Sequence, residues 1–270
     1  MLPDKVEQTM SRLCAGLQSV LPDNLDSVYV YGSVALGAYI EGSSDIDFIA
    51  VLRRRITDSE YRAIAAAHHE LEQTMPGTDI MGAYIRREDL GKPAHTMRPF
   101  PTYFSNRLHL DGTGADLNPV TWWILRRHGI CVYGSNTPMT YSATAEELTE
   151  YTLYNMNTYW AGWIGRLEQQ LVNSEHNPAP EAVNEAVEWC VLGMLRQWYT
   201  LREHDVTSKI GAGEYGLERL PGRWHGLISE AIAIKRREPV RQDSAGPERL
   251  RELVELLRYL HQESNGEYHH

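Results

Sequence analysis

The sequence predicts an α+β chain in which a mixed sheet flanked by helices occupies residues 1–140 and an all-α helical bundle occupies residues 141–270. Three observations predict it. Strand-like apolar runs bounded by Gly, Pro and Asp occur only before about Ser135, and from there onward the apolar spacing is helical. The stretch from Val28 to Ala50, VYVYGSVALGAYIEGSSDIDFIA, reads as a strand, a Gly-Ser turn opening a short helix, and a second strand.

Residues 3–21 form a helix with Pro3 near its start and Val6, Met10, Leu13, Leu17 and Val20 on one face. The strand Val28 to Tyr31 leads into the turn at Gly32 and Ser33, and the next strand carries Asp45 and Asp47 and runs to about Leu52. Strand side chains alternate faces, so Asp45 and Asp47 point the same way while Ile46 and Phe48 enter a core. Thr57 with Glu60 three residues on is a capping-box pattern, and it opens a helix to about Met75 that Pro76-Gly77 ends. Thr78 to Ile85 is a third strand with Asp79 at its start. Taken alone, Asp79 reads as an edge or turn residue.

Residues 91–117 lack clean periodicity apart from a strand at Tyr103 to Leu110. His95, Arg98 and His109 in this region can face a substrate, and they read equally as solvated loop side chains. Asn118 begins a helix whose Trp122 and Trp123 are packing residues, and the strand Ile130 to Gly134 follows. Beyond it the pattern gives helices at 145–173, 179–203, 207–220, 223–236 and 246–262. They are separated by Asn177-Pro178, His204-Asp205, Pro221-Gly222 and Gly246-Pro247.

The helix from Glu181 to Arg202 separates into two opposed stripes. Val183, Val187, Cys190, Val191, Met194, Trp198 and Leu201 form the core side, and Glu181, Glu185, Glu188, Leu192, Arg196 and Tyr199 line the other. Three glutamates on one stripe repel one another, so they are either solvated or face something positive, such as a cationic acceptor.

Seven Trp, fifteen Tyr and 42% hydrophobic residues indicate a folded globular protein. The net charge of -10, with no basic tract beyond Arg53 to Arg55 and Lys235 to Arg237, disfavours a nucleic-acid partner and suits a small cationic one. Cys14, Cys131 and Cys190 lack CxxC spacing and read as buried free thiols of a reducing compartment. No signal-peptide pattern or long apolar run is present, so the expectation is a cytoplasmic monomer that engages no membrane. The final His269-His270 is set aside as a tag remnant.

Two aspartates on one strand face repel unless a cation lies between them, and Mg²⁺ is commonly held by one or two carboxylates together with substrate phosphates. The Gly32-Ser33 turn, with free backbone N–H groups at a helix start, is a place for those phosphates.

Gly32-Ser33, eleven intervening residues including Ser44, and then Asp45-Ile46-Asp47 resemble the signature of the polymerase-beta-like nucleotidyltransferase superfamily. The segments LRRHGICVYG and VLGMLRQWYT, followed by Thr207-Ser208-Lys209, are similar to the aminoglycoside adenylyltransferases that modify streptomycin and spectinomycin. The resemblance implies a fold, an activity and roles. Asp45 and Asp47 would bind Mg²⁺, and Gly32, Ser33, Ser44, Arg196 and Lys209 would bind the nucleotide. Asp79 would be the catalytic base, although the family has a glutamate there. Glu181, Glu185 and Glu188 would face the acceptor, with Trp160 and Trp163 as neighbouring candidates. The implied reaction carries AMP from ATP to an antibiotic hydroxyl and confers resistance, the helical domain closing over ATP and drug.

Overall fold

The computed structural model describes residues 1–114, 116–139, 143–173, 179–240 and 246–266. The chain divides into two compact units, Met1–Thr144 and Ala145–His270. The expected boundary at 140/141 and the helix break at Asn177-Pro178 fall outside the described residues, as does His269-His270.

The first unit is built on a six-stranded sheet in the order β5-β4-β3-β2-β1-β6. Its strands are β1 (Leu25–Val30), β2 (Ile46–Leu52), β3 (Ile80–Arg86), β4 (Thr102–Phe104), β5 (Arg107–His109) and β6 (Ile130–Gly134). Only β2 and β3 run parallel among the paired strands. Parallel neighbours need a crossover, and here it is helix α3 (Asp58–Thr74). Helix α1 (Asp4–Val20) packs beside α3 on one face of the sheet. Val6, Met10, Leu13 and Leu17 of α1 and Ile64 and Leu71 of α3 bury against Val28, Val30, Ile46, Phe48, Ala50 and Leu52. The alternation seen in the sequence therefore holds, with Ile46 and Phe48 in the core and Asp47 on the other face. Short helix α2 (Gly32–Ala35) follows β1, and α4 (Pro119–His128) follows the irregular segment, capped by Asn118, whose side chain accepts from the amides of Val120 and Thr121. Trp122 and Trp123 are buried, as packing residues should be.

The expected strand at Tyr103 to Leu110 is instead the hairpin β4–β5. Ser105 and Asn106 both have positive φ, 49° and 55°. A two-residue turn matching the strand twist needs that conformation at both positions, and Ser-Asn signals it far less clearly than Asn-Gly. Cys14 is buried as expected, but Cys131 is only half-buried because β6 is an edge strand.

The second unit consists of α5 (Ala145–Asn155), α6 (Ala161–Asn173), α7 (Pro180–Glu203), α8 (Lys209–Arg219), α9 (His225–Arg236) and α10 (Gly246–Gly266). A π-helical turn, Met156–Trp160, interrupts what the periodicity predicts as one helix from 145 to 173. That turn keeps both Met156 and Trp160 in the core, 0% and 4% exposed. Helix α7 is central and packs on α5, α8, α9 and α10. Its predicted apolar stripe is buried, but so is Leu192, which the two-stripe pattern puts on the polar side. The reason lies in α8. Its Gly213 has no side chain, so the helix approaches until a Cβ there would stand 3.0 Å from Leu192 Cδ2. None of the described helices is long and apolar enough to cross a membrane.

The capping box at the start of α3 forms as the sequence indicates. Thr57 Oγ1 accepts from the Glu60 amide at 3.2 Å, and Glu60 Oε2 accepts from the Thr57 amide at 2.8 Å. Arg54 adds a two-pronged contact to the same carboxylate, at 2.9 Å to each oxygen. The hydrogen bonds from Arg54 and Thr57 pull the Glu60 carboxyl from 4.5 down to about 2. Replacing Thr57 by Ala is expected to cost about 1 kcal/mol in denaturant unfolding. Because the folded pKa is depressed, Glu60 contributes its stabilisation above its unfolded pKa. That contribution disappears as pH falls from 4.5 through about 2, and Glu60→Gln flattens this part of the acid unfolding profile.

Candidate functional site

The site grows out of the β2–β3 pairing. Ile46 pairs with Ile80 in the parallel register, and the Ile46 amide donates to the Asp79 carbonyl at 2.9 Å. Asp45 and Asp79, each one residue ahead of its strand, therefore lie side by side at the amino ends of the two strands. Asp47, two residues on from Asp45, shares their side of the sheet. Ordinary strand pairing thus brings the three predicted carboxylates together. The charge of Asp45 registers on Asp79, whose carboxyl is raised above its usual 3.8, first by partial burial and then by Asp45. Asp79 is nevertheless open to solvent on one side.

The turn after β1 supplies the other wall. Its first residue, Gly32, has φ 61°, a conformation other residues avoid, and a Cβ built there would overlap Asp47 Oδ2. Glycine thus lets the carboxylate of Asp47 rest against the turn backbone. The turn is tied to β2 by the Tyr31 amide, which donates to the Asp47 carbonyl at 3.1 Å. Beside it, Ser33 Oγ is buried with no hydrogen-bond partner among the described residues. A buried hydroxyl without a partner is costly, and a phosphate oxygen from a ligand would satisfy it. Ser44 closes the loop into Asp45. Its amide donates to the Ile40 carbonyl at 2.8 Å, and its hydroxyl accepts from the Ile40 amide at 3.2 Å. A hydroxyl used only as an acceptor still has its proton to donate.

Among the described residues no three His, Cys, Asp or Glu side chains form a metal-ligating cluster. Asp45 and Asp47 are oxygen donors that fit Mg²⁺, which completes its shell with water and substrate phosphate rather than with an all-protein cage. The glycine cradle under Asp47 and the orphaned Ser33 hydroxyl agree with a ligand of that kind, a metal-bound phosphate.

Two residues near this centre escaped the sequence reading. The Tyr31 phenol is held well above its usual pKa, first by burial and then by Asp47, Asp116 and Asp45, so Asp116 belongs to the same acidic neighbourhood. The only sequence signal for Asp116 was its place two residues before a helix-capping Asn118, whose amide donates to it at 2.5 Å. Other candidates lie elsewhere. His109 stacks on Phe104 at 4.4 Å between ring centroids, and Arg98 borders a cavity at the carboxyl ends of β2 and β3. His95 is exposed in a 3₁₀ turn.

In the helical unit, Lys209 is the first residue of α8, after Ser208 caps the helix by accepting from the Gly211 amide at 2.9 Å. Its ammonium contacts Glu188 Oε1 at 2.8 Å and lies 4.6 Å from the centre of the Trp189 ring. Two residues expected in different roles, phosphate contact and acceptor contact, are thus partners. Glu181 and Glu185 are exposed and have no ion-pair partner among the described residues. Arg196 is half-buried, about three turns beyond Glu185 along α7. Trp160 is core, packed against Gly193, and Trp163 is half-buried under the Arg166 guanidinium. Trp189 and Tyr159 are both exposed, and the Trp189 indole N–H donates to the Tyr159 hydroxyl at 3.2 Å. The two-stripe pattern missed Trp189 because it lies between the stripes.

Two family models match separate parts of the chain. Residues 14–80 match a family model described as nucleotidyltransferase domain, and residues 168–262 match one described as aminoglycoside adenylyltransferase, C-terminal domain. No curated protein matches the sequence. Among solved structures the chain is similar to a spectinomycin adenyltransferase from Enterococcus faecialis, determined with ATP and spectinomycin. The two share 15% identity over 96% of this chain and 98% of that one, with a TM-score of 0.63, a likeness of fold. The chain thus joins a segment that matches a nucleotidyltransferase domain to one that matches the C-terminal domain of the aminoglycoside adenylyltransferases, and it is an enzyme that resembles the aminoglycoside nucleotidyltransferases.

Proposed function

We propose that the protein transfers AMP from ATP to a hydroxyl of an aminoglycoside-type antibiotic, streptomycin or spectinomycin, and so inactivates the drug. The observation that carries this reading is the convergence of Asp45, Asp47 and Asp79 beside the Gly32-Ser33 turn. The family of the carboxyl-terminal domain directs it to this class of acceptor.

In this reading Asp45 and Asp47 would hold Mg²⁺, which would supply charge neutralisation and Lewis-acid chemistry to the triphosphate. Ser33 and Ser44 donate their hydroxyl protons to phosphate oxygens, and Gly32 keeps the backbone close to them. Asp79 takes the proton of the acceptor hydroxyl as that oxygen attacks the α-phosphorus in line and pyrophosphate leaves. Burial and Asp45 raise its pKa, and a more basic carboxylate is a better proton acceptor. In the helical unit Arg196 and Lys209 are the cations proposed to contact the nucleotide, and Lys209 is paired with Glu188 at 2.8 Å. Glu181 and Glu185, exposed and negative, attract a polycationic drug, and the faces of Trp189 and Tyr159 supply an apolar surface for its rings.

The reading makes definite demands. Asp47→Asn abolishes nucleotidyl transfer while circular dichroism and the unfolding midpoint stay those of the parent, and retained activity would sink the proposal. Asp79→Asn lowers kcat roughly a hundred- to ten-thousand-fold, as loss of a general base does. Gly32→Ala weakens Mg-ATP binding in calorimetry by displacing Asp47. Titration with streptomycin and with spectinomycin in the presence of a non-hydrolysable ATP analogue identifies the acceptor. Binding of nucleotide but of neither drug would leave the transferase core standing and refute the antibiotic.

A further inference from the structure

At the carboxyl ends of β2 and β3 the first unit holds an open cavity of about 150 Å³. The carboxylates of the transfer site lie at the amino ends of the same strands, roughly 20 Å away at ~3.3 Å per residue, so the cavity is a separate feature. Its floor is apolar, from Leu52, Ile56 and Ile85, and Phe100 and Leu110 stand at its wall and rim. Leu110 is 52% exposed, a large apolar side chain left open beside a space it does not fill.

The charged lining is unbalanced. Arg55, Arg86 and Arg98 face one acidic side chain, Asp89. That carboxylate is already satisfied, accepting from Arg86 at 2.9 Å and from Lys92 at 3.1 Å, and Arg86 is further engaged by Glu88. Arg55 and Arg98 are exposed and have no carboxylate partner among the described residues. A chain of net charge -10 has thus set two arginines without a carboxylate partner among the described residues beside a cavity of mixed apolar and polar lining.

We propose that this cavity is a binding site for a small aromatic anion, a single ring bearing a carboxylate or a phosphate. A space of 150 Å³ is the size that accepts a benzene ring, so the ring fits the apolar floor. The guanidinium fork is matched to carboxylate and phosphate oxygens, which Arg55 and Arg98 grip at the mouth. Arg86, held by Asp89 and Glu88, is the fixed wall of the pocket rather than a ligand.

Phenyl phosphate and benzoate titrated into the full chain, followed by ¹H–¹⁵N spectra, test the site. Saturable binding is expected, with shifts at Ile85, Phe100 and Leu110, and at least about tenfold weaker binding in the Arg55→Met, Arg98→Met double variant. Both arginines are exposed, so the variant folds, and nucleotide binding in it is unchanged. Leu110→Glu, a surface change that sets a like charge at the mouth, weakens the same probes. Inorganic phosphate binding as tightly as phenyl phosphate would overturn the role of the apolar floor. Benzyl alcohol binding as tightly would overturn that of the arginines. Failure of both anions to bind, or binding indifferent to the double variant, would overturn the site itself.

Discussion

The register of the parallel β2–β3 pair is the constraint on which the rest of this structure depends. Strand register leaves Asp45 and Asp79 no freedom to separate, because the Ile46–Ile80 pairing is embedded in a parallel ladder whose inward side chains are fully packed. The core fixes the ladder, and the ladder fixes where the carboxylates stand. Stability and chemistry are therefore coupled through two strands. Slipping the register by one residue would send Asp47 into the core beneath α1 and α3 and turn Phe48 to the opposite face.

Most of this arrangement was legible from residue order. The strand-turn-strand, the alternation that separates Asp47 from Phe48 and the capping box at Thr57 are local signals, and each formed. What escaped was set by packing between distant segments. Leu192 is buried because glycine on a neighbouring helix lets that helix come close, which no pattern within residues 181–202 records. The Lys209–Glu188 pair spans two helices. Asp116 joins the acidic neighbourhood from a segment without periodicity. The β4–β5 hairpin failed for a different reason, since Ser105 and Asn106 take up left-handed backbone that their identities merely permit.

The two units present charge in different ways. In the first, acid gathers at one end of the central strands and arginine at the other, so a single pair of strands separates opposite potentials across its length. In the second, the lysine at the start of α8 is balanced by Glu188 and half covered by indole, while Glu181 and Glu185 remain exposed. Such a surface is attractive to cations and reserved toward anions until something displaces the glutamate.

The contact between Gly32 and Asp47 limits how this sequence can drift. A fit defined by a missing atom leaves no neighbouring solution, for every replacement at position 32 adds at least the methyl group that the carboxylate excludes. Change must then come from the other partner or from the whole turn, and each of these moves the carboxylate as well. Position 32 is closed to gradual exploration while the rest of the turn stays open to it, so variation in descendants of this chain should gather around a fixed glycine.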